Sequence, residues 1–344
     1  MIKAPHRRSK HRGVDLRSYR HVVSASVPVA IPSKGREDKL CKQTLATLQR
    51  YNFDLKQVHV FVDCAARRED GSLEYDCYWK HLAKNGFECV QLHPGGDGLS
   101  HQYNRIFEFF AGVPRLLIMS DTVPQILQRR TRSWTQKELP REDFQPLIAL
   151  AFDLCEEFSV RSWSLGPCKN VRNMSPGVIS RKCGLLDGNC FGVNLSKLPS
   201  IHLSYSGYTT DVEFSVKAWS ADGGMVRFLG ITAAHQYRLS GGHEASERAS
   251  SNSRQEETNA SLKRLAKDYP ELLRFQQDKR VAATGMRYFF RSKGPAPLKL
   301  FGSYGLRGAP TRNGKRPMSD AERQRRHRRC KASCLQRPAS HATK

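Results

Sequence analysis

The sequence predicts an α/β domain built on a mostly parallel sheet flanked by helices. Three observations carry this. Strand-like and helix-like segments alternate as β-α-β-α-β-α-β over about the first hundred residues of the folded part. The early strand-like segments run into short clusters of polar, glycine or proline residues, as strands with exposed carboxyl ends do. The chain has 344 residues, of which 39% are hydrophobic, enough for one large domain with tails or two small ones.

Val22 to Ile31 reads as a buried strand ended by Pro32, Ser33 and Gly35. Asp38 to Tyr51 follows as a helix, with Leu40, Leu45 and Leu48 on helical spacing. Val58 to Val62 is β-branched and aromatic, a second strand closing on Asp63, and residues 65–74 form a loop. Tyr75 to Asn85 is a helix stopped by Gly86, and Phe87 to Leu92 a third strand. Leu99 to Ala111 is a helix broken by Gly112 and Pro114, leading into a fourth strand, Leu116 to Met119. Charged residues 129–143 read as a surface loop. Phe144 to Phe158 reads as a helix, with Pro146 in its first turn. Val178 to Ser180, Phe191 to Asn194 and Met225 to Leu229 read as short strands. Asp211 to Ala218 and Ala260 to Phe275 read as helices, and 243–258 as a long polar loop. Beyond Ser292 no periodicity is sustained, so that part reads as a largely disordered tail.

In a parallel α/β sheet, ligands bind at the carboxyl ends of the strands. Those ends are Pro32–Gly35, Asp63, His93–Gly96 and Ser120–Thr122.

Lys and Arg number 57 against 32 Asp and Glu, a formal net charge of +25. Residues 1–20 hold seven basic residues and one acid, and 312–344 hold eleven basic and two acidic. The middle is basic as well. Such an excess favours a polyanionic partner, above all nucleic acid, through counterion release from phosphates; the plain alternative is a solvated surface. Residues 317–329, PMSDAERQRRHRR, read as a short basic helix capped by Ser319, suited to a nucleic-acid backbone or to nuclear import, or simply as a charged tail. The ten cysteines show no CxxC and no zinc spacing, as reduced thiols of an intracellular protein would. The apolar run after the basic start contains Ser24, Ser26 and Pro28 and lacks a cleavage pattern, so it reads as a strand rather than a signal peptide. No apolar stretch reaches membrane-spanning length, and a soluble nuclear or cytoplasmic protein is expected.

Several segments resemble a known family. GLSHQYNRIFEF (Gly98 to Phe109) resembles the GLSxARN segment of family 2-like GT-A glycosyltransferases. LLIMSDTV (Leu116 to Val123) falls where those enzymes carry their acidic DxD motif, and PVAIPSKGRE (Pro28 to Glu37) resembles their first strand and donor loop. GREDKLCKQTLATL, TTDVEFSVKAW and FLGITAAHQYRLSGG, at residues 35–48, 209–219 and 228–242, are most similar to the TET/JBP-associated, base J type DNA glycosyltransferases. The matched pieces span roughly residues 27–275, and their order rather than any single piece is the signal.

The resemblance implies a Rossmann-like GT-A domain over residues 21–290, between a basic arm (1–20) and a basic tail (291–344). It implies transfer of a sugar from a nucleoside diphosphate donor, UDP-linked, to the hydroxyl of a hydroxymethylated base in DNA, with inversion. Donor-binding candidates are Pro32, Ser33, Lys34, Arg36, Asp63, Gly98, Asn104, Arg105, Ser120 and Asp121. Asp63 stands where the fold places an acid against the nucleobase. Lys34, Arg36, Arg105 and Arg238 are the residue types that neutralise phosphate, and Gly95, Gly96, Gly241 and Gly242 would let the backbone approach the donor. The motif is incomplete: Asp121 is flanked by Ser120 and Thr122, so a divalent ion, Mn or Mg, would be held by Asp121 with His235. Removing the acceptor's proton needs a base, which the resemblance places at Asp211 or Glu213; Asp211, at the helix start, is preferred. Two other readings stand beside this one: a nucleic-acid-binding protein on a degenerate fold, and a GT-A enzyme acting on protein or glycan.

Overall fold

The computed structural model describes residues 13–16, 27–129, 135–167, 170–205, 209–235, 251–277, 286–290 and 298–301. The first strands are β1 (Gly13–Asp15), β2 (Val29–Ser33), β3 (Val58–Val62), β4 (Gln91–Pro94) and β5 (Leu116–Met119). Between β2 and β3 a continuous helical stretch runs as α1 (Glu37–Lys39), a π-helical segment (Leu40–Leu45) and α2 (Ala46–Arg50). Helices α3 (Glu74–Lys84) and α4 (Leu99–Phe109) join β3 to β4 and β4 to β5. There follow β6 (Ile126–Arg129), β7 (Gln136–Glu138), α5 (Phe144–Glu157), β8 (Ser162–Leu165), β9 (Val178–Ser180), β10 (Cys190–Val193) and α6 (Thr210–Asp222). The described part closes with β11 (Val226–Phe228), β12 (Ile231–Ala233), α7 (Ser251–Asp268), β13 (Leu273–Gln277), β14 (Met286–Phe290) and β15 (Leu298–Phe301).

The main sheet has the order β1-β15-β9-β11-β8-β10-β5-β2-β3-β4. The expected α/β architecture is thus present, with a mixed sheet. The β5-β2-β3-β4 block is parallel throughout, whereas β10 runs antiparallel to both its neighbours. Strands β2 and β3 are buried at every position, as in a parallel sheet covered on both faces. Val29, Ile31, Val58, Val60 and Val62 face Leu40, Leu45, Leu48, Tyr78 and Leu82 of the first three helices. Ala30, Phe61, Leu116 and Ile118 face Tyr103, Ile106 and Phe107 of α4. Alternation along each strand therefore assigns α1–α3 to one face and α4 to the other.

The chain steps outward from β2 to β4, then crosses back to place β5 on the opposite side of β2. That reversal is a topological switch point, where a crevice opens at the carboxyl ends. The register shows it opening: β2 pairs with β3 through Ser33, but with β5 only at Val29 and Ala30. Pro32, which has no N–H to donate, lies past the point where β2 and β5 still pair.

Several elements differ from the sequence expectations. The first strand ends at Ser33 rather than Ile31, and residues 22–26 lie outside the described residues. The third strand is Gln91–Pro94, not 87–92, because a turn fills the residues after α3. Residues 129–143, expected to be a loop, contain β7, which pairs with β6; β6 pairs on its other side with β12, making a small three-stranded sheet. The final helix runs Ser251–Asp268 and so covers 251–258 of the expected loop, whose residues 243–250 lie outside the described residues; β13 occupies what was read as the helix's last turn. Strand β8 is hidden in the sequence by Arg161, Ser162 and Ser164, all buried. The segments read as basic arm and tail each give the sheet one strand, β1 and β15; the rest of the tail, 302–344 with its expected basic helix, lies outside the described residues. No described helix is long and apolar enough to cross a membrane.

Candidate active site

The crevice is built from the turn after β2 and the loop after β5. Asp121 is buried there; Ser33 Oγ donates to its Oδ2 at 2.7 Å, and Arg36 Nη1 lies 3.4 Å from its Oδ1. Burial raises the Asp121 carboxyl above its ordinary pKa, opposed by Arg36 and the Ser33 hydroxyl. The β2 turn is fixed from α3: Tyr78 OH shares a 2.6 Å hydrogen bond with Ser33 Oγ and accepts from the Arg36 N–H at 2.9 Å, while Glu74 accepts from the Gly35 N–H at 2.6 Å. Gly35 itself has φ 60°, a conformation that glycine adopts without strain. The loop after β5 is fixed by Thr44 in the π-helical segment, whose hydroxyl donates to Ser120 O at 2.8 Å and accepts from Val123 N at 2.9 Å. A π turn widens the helix locally, and such turns recur at functional sites. Lys34 Nζ lies 3.1 Å from Asp97 and 3.8 Å from Asp63, bridging the ends of β2 and β3 to the start of α4.

On the other side, α4 and α6 meet by their N-termini. Ser100 Oγ lies 3.1 Å from Thr210 Oγ1 and donates to Tyr205 O at 2.9 Å. Gly98 is the N-cap of α4 with φ 79°, which turns the chain from β4 into the helix. Asp211, in the first turn of α6, is half-buried and takes the Gly188 N–H; burial pushes its carboxyl up to about 6. A Cβ at residue 188 would meet the Asp211 carboxylate, which would have to shift. Asp187 beside it is buried, accepts from the Asn189 side chain at 2.6 Å, and is pushed up to about 8 by burial and the nearby charge of Asp211. The 187–189 loop adjoins Asp121, since Ser120 N donates to Asn189 O at 3.0 Å where β10 begins.

The site residues expected from sequence therefore divide. Pro32, Ser33, Lys34, Arg36, Asp63, Gly98, Ser120 and Asp121 are gathered at the carboxyl ends of β2, β3 and β5 and at the start of α4. Asn104 is spent on scaffolding, its amide donating to Leu203 O at 2.8 Å and accepting from Leu203 N at 2.8 Å. Arg105 points outward on α4 and pairs with Glu108 at 3.0 Å. Glu213 is fully buried, accepting from Ser204 N at 2.8 Å and Tyr205 N at 3.0 Å and pairing with Lys217 at 2.6 Å. It holds the loop before α6, whereas Asp211 has the Gly188 N–H as its backbone partner. Arg238, Gly241 and Gly242 lie outside the described residues. Thr44, Tyr78, Glu74 and Asp187 were not singled out in the sequence. Lys39 was also missed, although it stands three residues after Arg36, the spacing of neighbours on a helix.

The expectation of a divalent ion between Asp121 and His235 meets a different arrangement. His235 is brought close, with Nδ1 2.9 Å from Thr122 Oγ1. Among the described residues, however, no group of three or more His, Cys, Asp and Glu side chains is placed to hold a metal. The one carboxylate faces a guanidinium, a cation where the ion would sit. These residues do not fit a divalent ion.

No family model matches the sequence, and no curated protein matches it. Solved structures with a similar course of chain include the mannosyltransferase of Pyrobaculum calidifontis in complex with GDP-Man and Mn2+, at 12% identity over 71% of this chain and 64% of that one, TM-score 0.41. The S. aureus TarS structure with UDP-GlcNAc gives 12% identity over 70% of this chain and 66% of that one, TM-score 0.41. Glucosyl-3-phosphoglycerate synthase from Mycobacterium tuberculosis, with Mn2+ and UDP, gives 9% identity over 83% and 94%, TM-score 0.42. The chain thus spans just under two thirds of the first two. These similarities are too low to carry a functional argument, which rests on the site itself.

Proposed function

We propose that the chain is a glycosyltransferase that uses a nucleoside diphosphate sugar. The observation that carries this reading is a switch-point cleft holding the cations Lys34 and Arg36, joined through the 187–189 loop to a carboxylate, Asp211, that burial pushes up to about 6. The cleft suits a diphosphate, with Asp63 at the end of β3 placed for the nucleobase or ribose. Asp211 accepts the proton of the acceptor hydroxyl as the oxygen attacks the anomeric carbon, and the bond from that carbon to the diphosphate oxygen breaks. The diphosphate leaves with the bonding electrons, and its charge is met by Lys34 and Arg36. The sequence resemblance supports the same reading, with a UDP-linked donor.

The proposed acceptor is a hydroxymethylated base in DNA. What supports it is the charge of +25, far more than a donor with two phosphates requires, together with the resemblance to base J type enzymes. The test incubates purified protein with UDP-glucose and a duplex carrying hydroxymethyluracil or hydroxymethylcytosine, followed by mass spectrometry of the nucleosides. A hexosyl adduct on the modified base is the expected product. Donor consumption with no adduct on either duplex would remove DNA as acceptor and leave the transferase reading standing.

A further inference from the structure

Asp121 sits among cations. Arg36 reaches its Oδ1 at 3.4 Å, and the Arg36 and Lys34 side chains are each only 12% exposed, held in the walls of the crevice rather than free in solvent. Lys39 stands three residues after Arg36 on the helical turn closed by the Leu40 N–H bond to Arg36 O at 2.8 Å, so the two side chains are neighbours, and the charges of Arg36 and Asp121 both act on it. Their placement is built in. Tyr78 takes the Arg36 N–H, Ser33 bonds to both Tyr78 and Asp121, and Lys34 is braced by Asp63 and Asp97. Asp63 and Asp97 both lie against Lys34, so Arg36 and Lys39 are the cations that face the buried Asp121 at the mouth of β2 and β5.

Resting on the reading above, we propose that the diphosphate of the donor and of the product is held by Arg36, Lys39 and Lys34 directly, without a divalent ion. Asp121 then serves to fix Arg36 and the Ser33 hydroxyl rather than to ligate metal. A guanidinium suits this role because it offers several donors to phosphate oxygens and stays charged at any working pH. A divalent ion at Asp121 would have to displace Arg36 and stand beside a second cation.

The test is calorimetric titration of UDP, and in parallel GDP, into the full chain, once in EDTA and once in excess Mn2+. Expected is binding of one nucleotide in EDTA, with an affinity within about threefold of that in Mn2+. Removing one charge-assisted hydrogen bond costs about 1.5–3 kcal/mol, so Arg36→Ala and Lys39→Ala should each weaken binding in EDTA by about tenfold or more. Thermal melting of each variant shows whether it is folded, and Lys39→Ala, on a partly exposed helix position, tests the idea if Arg36→Ala is not. Binding that appears only with Mn2+ overturns the proposal while leaving the donor site in place. Unchanged affinity in both folded variants overturns it as well. No binding of either nucleotide under any condition removes the donor reading itself.

Discussion

At the scale of single residues, the acid pair in TTDVEF was legible as a pair, and spacing alone placed the two acids on different sides of a helix. What each side chain does in the fold depended on backbone groups outside the motif. Ser204 and Tyr205 turn their N–H groups onto Glu213, and Gly188 offers one to Asp211. Glu213→Gln should therefore lower the melting temperature, since a buried carboxylate with several donors loses a charged hydrogen bond worth about 1.5–3 kcal/mol, yet leave the rate of the folded fraction within a few fold. Asp187 carried no signal in the sequence; its burial comes from the turn into β10. Its folded pKa of about 8 lies above the unfolded carboxylate value of about 3.9, so the folded state holds a proton that the unfolded one releases. Its contribution to stability is complete below the unfolded value and is lost as pH rises toward 8. Asp187→Asn removes that loss: melting at alkaline pH should rise relative to wild type, and the fall in stability between pH 5 and pH 8 should flatten, as melting curves at a series of about five pH values would show. An unchanged pH dependence would mean that Asp187 is ionised in the folded protein.

At the scale of elements, the alternating strands and helices up to Met119 were readable because central parallel strands are apolar throughout and end on polar turns. What stayed hidden was structure made by pairing rather than by pattern. Strand β8 begins beside a buried Arg161, whose guanidinium lies 2.9 Å from Asp222 at the end of α6 and thereby ties the sheet to that helix. Removing one member of such a pair leaves a buried charge without its partner, so Asp222→Ala should destabilise the fold by about 3–5 kcal/mol in denaturant titration. Strand β10 accommodates Trp163 only because residue 192 is glycine; a Cβ there would meet the indole. Gly188→Ala acts on the site in the same manner. By pushing the Asp211 carboxylate aside, it should lower kcat by about tenfold or more while nucleotide affinity, set on the far side of the crevice, holds. Equal losses in both would place residue 188 in the donor site instead.

At the scale of the whole molecule, charge and fold answer different questions. The sheet and its switch point set where the proposed nucleotide would sit, and net charge bears on what the protein meets. Residues 312–344 carry eleven basic and two acidic residues, and all described elements end by Phe301, so deleting that segment should leave the melting temperature in place. If DNA is the acceptor, the deletion should weaken binding to all duplexes alike. It should also flatten the salt dependence by up to about one unit of slope for each phosphate that is no longer neutralised. Identical slopes for full-length and truncated protein would count against a tail that engages DNA. The most direct test of the joined donor crevice and base is the pH dependence of nucleoside diphosphate release, measured with UDP-glucose and the modified duplex, for wild type and Asp211→Asn. The wild-type rate should rise as pH climbs through about 6, because Asp211 must lose its proton before it can take another, and Asp211→Asn should be slower by about a hundredfold or more, with that rise gone. An Asp211→Asn rate equal to wild type across the range would contradict the assignment of Asp211 as the base and, with it, the transferase site.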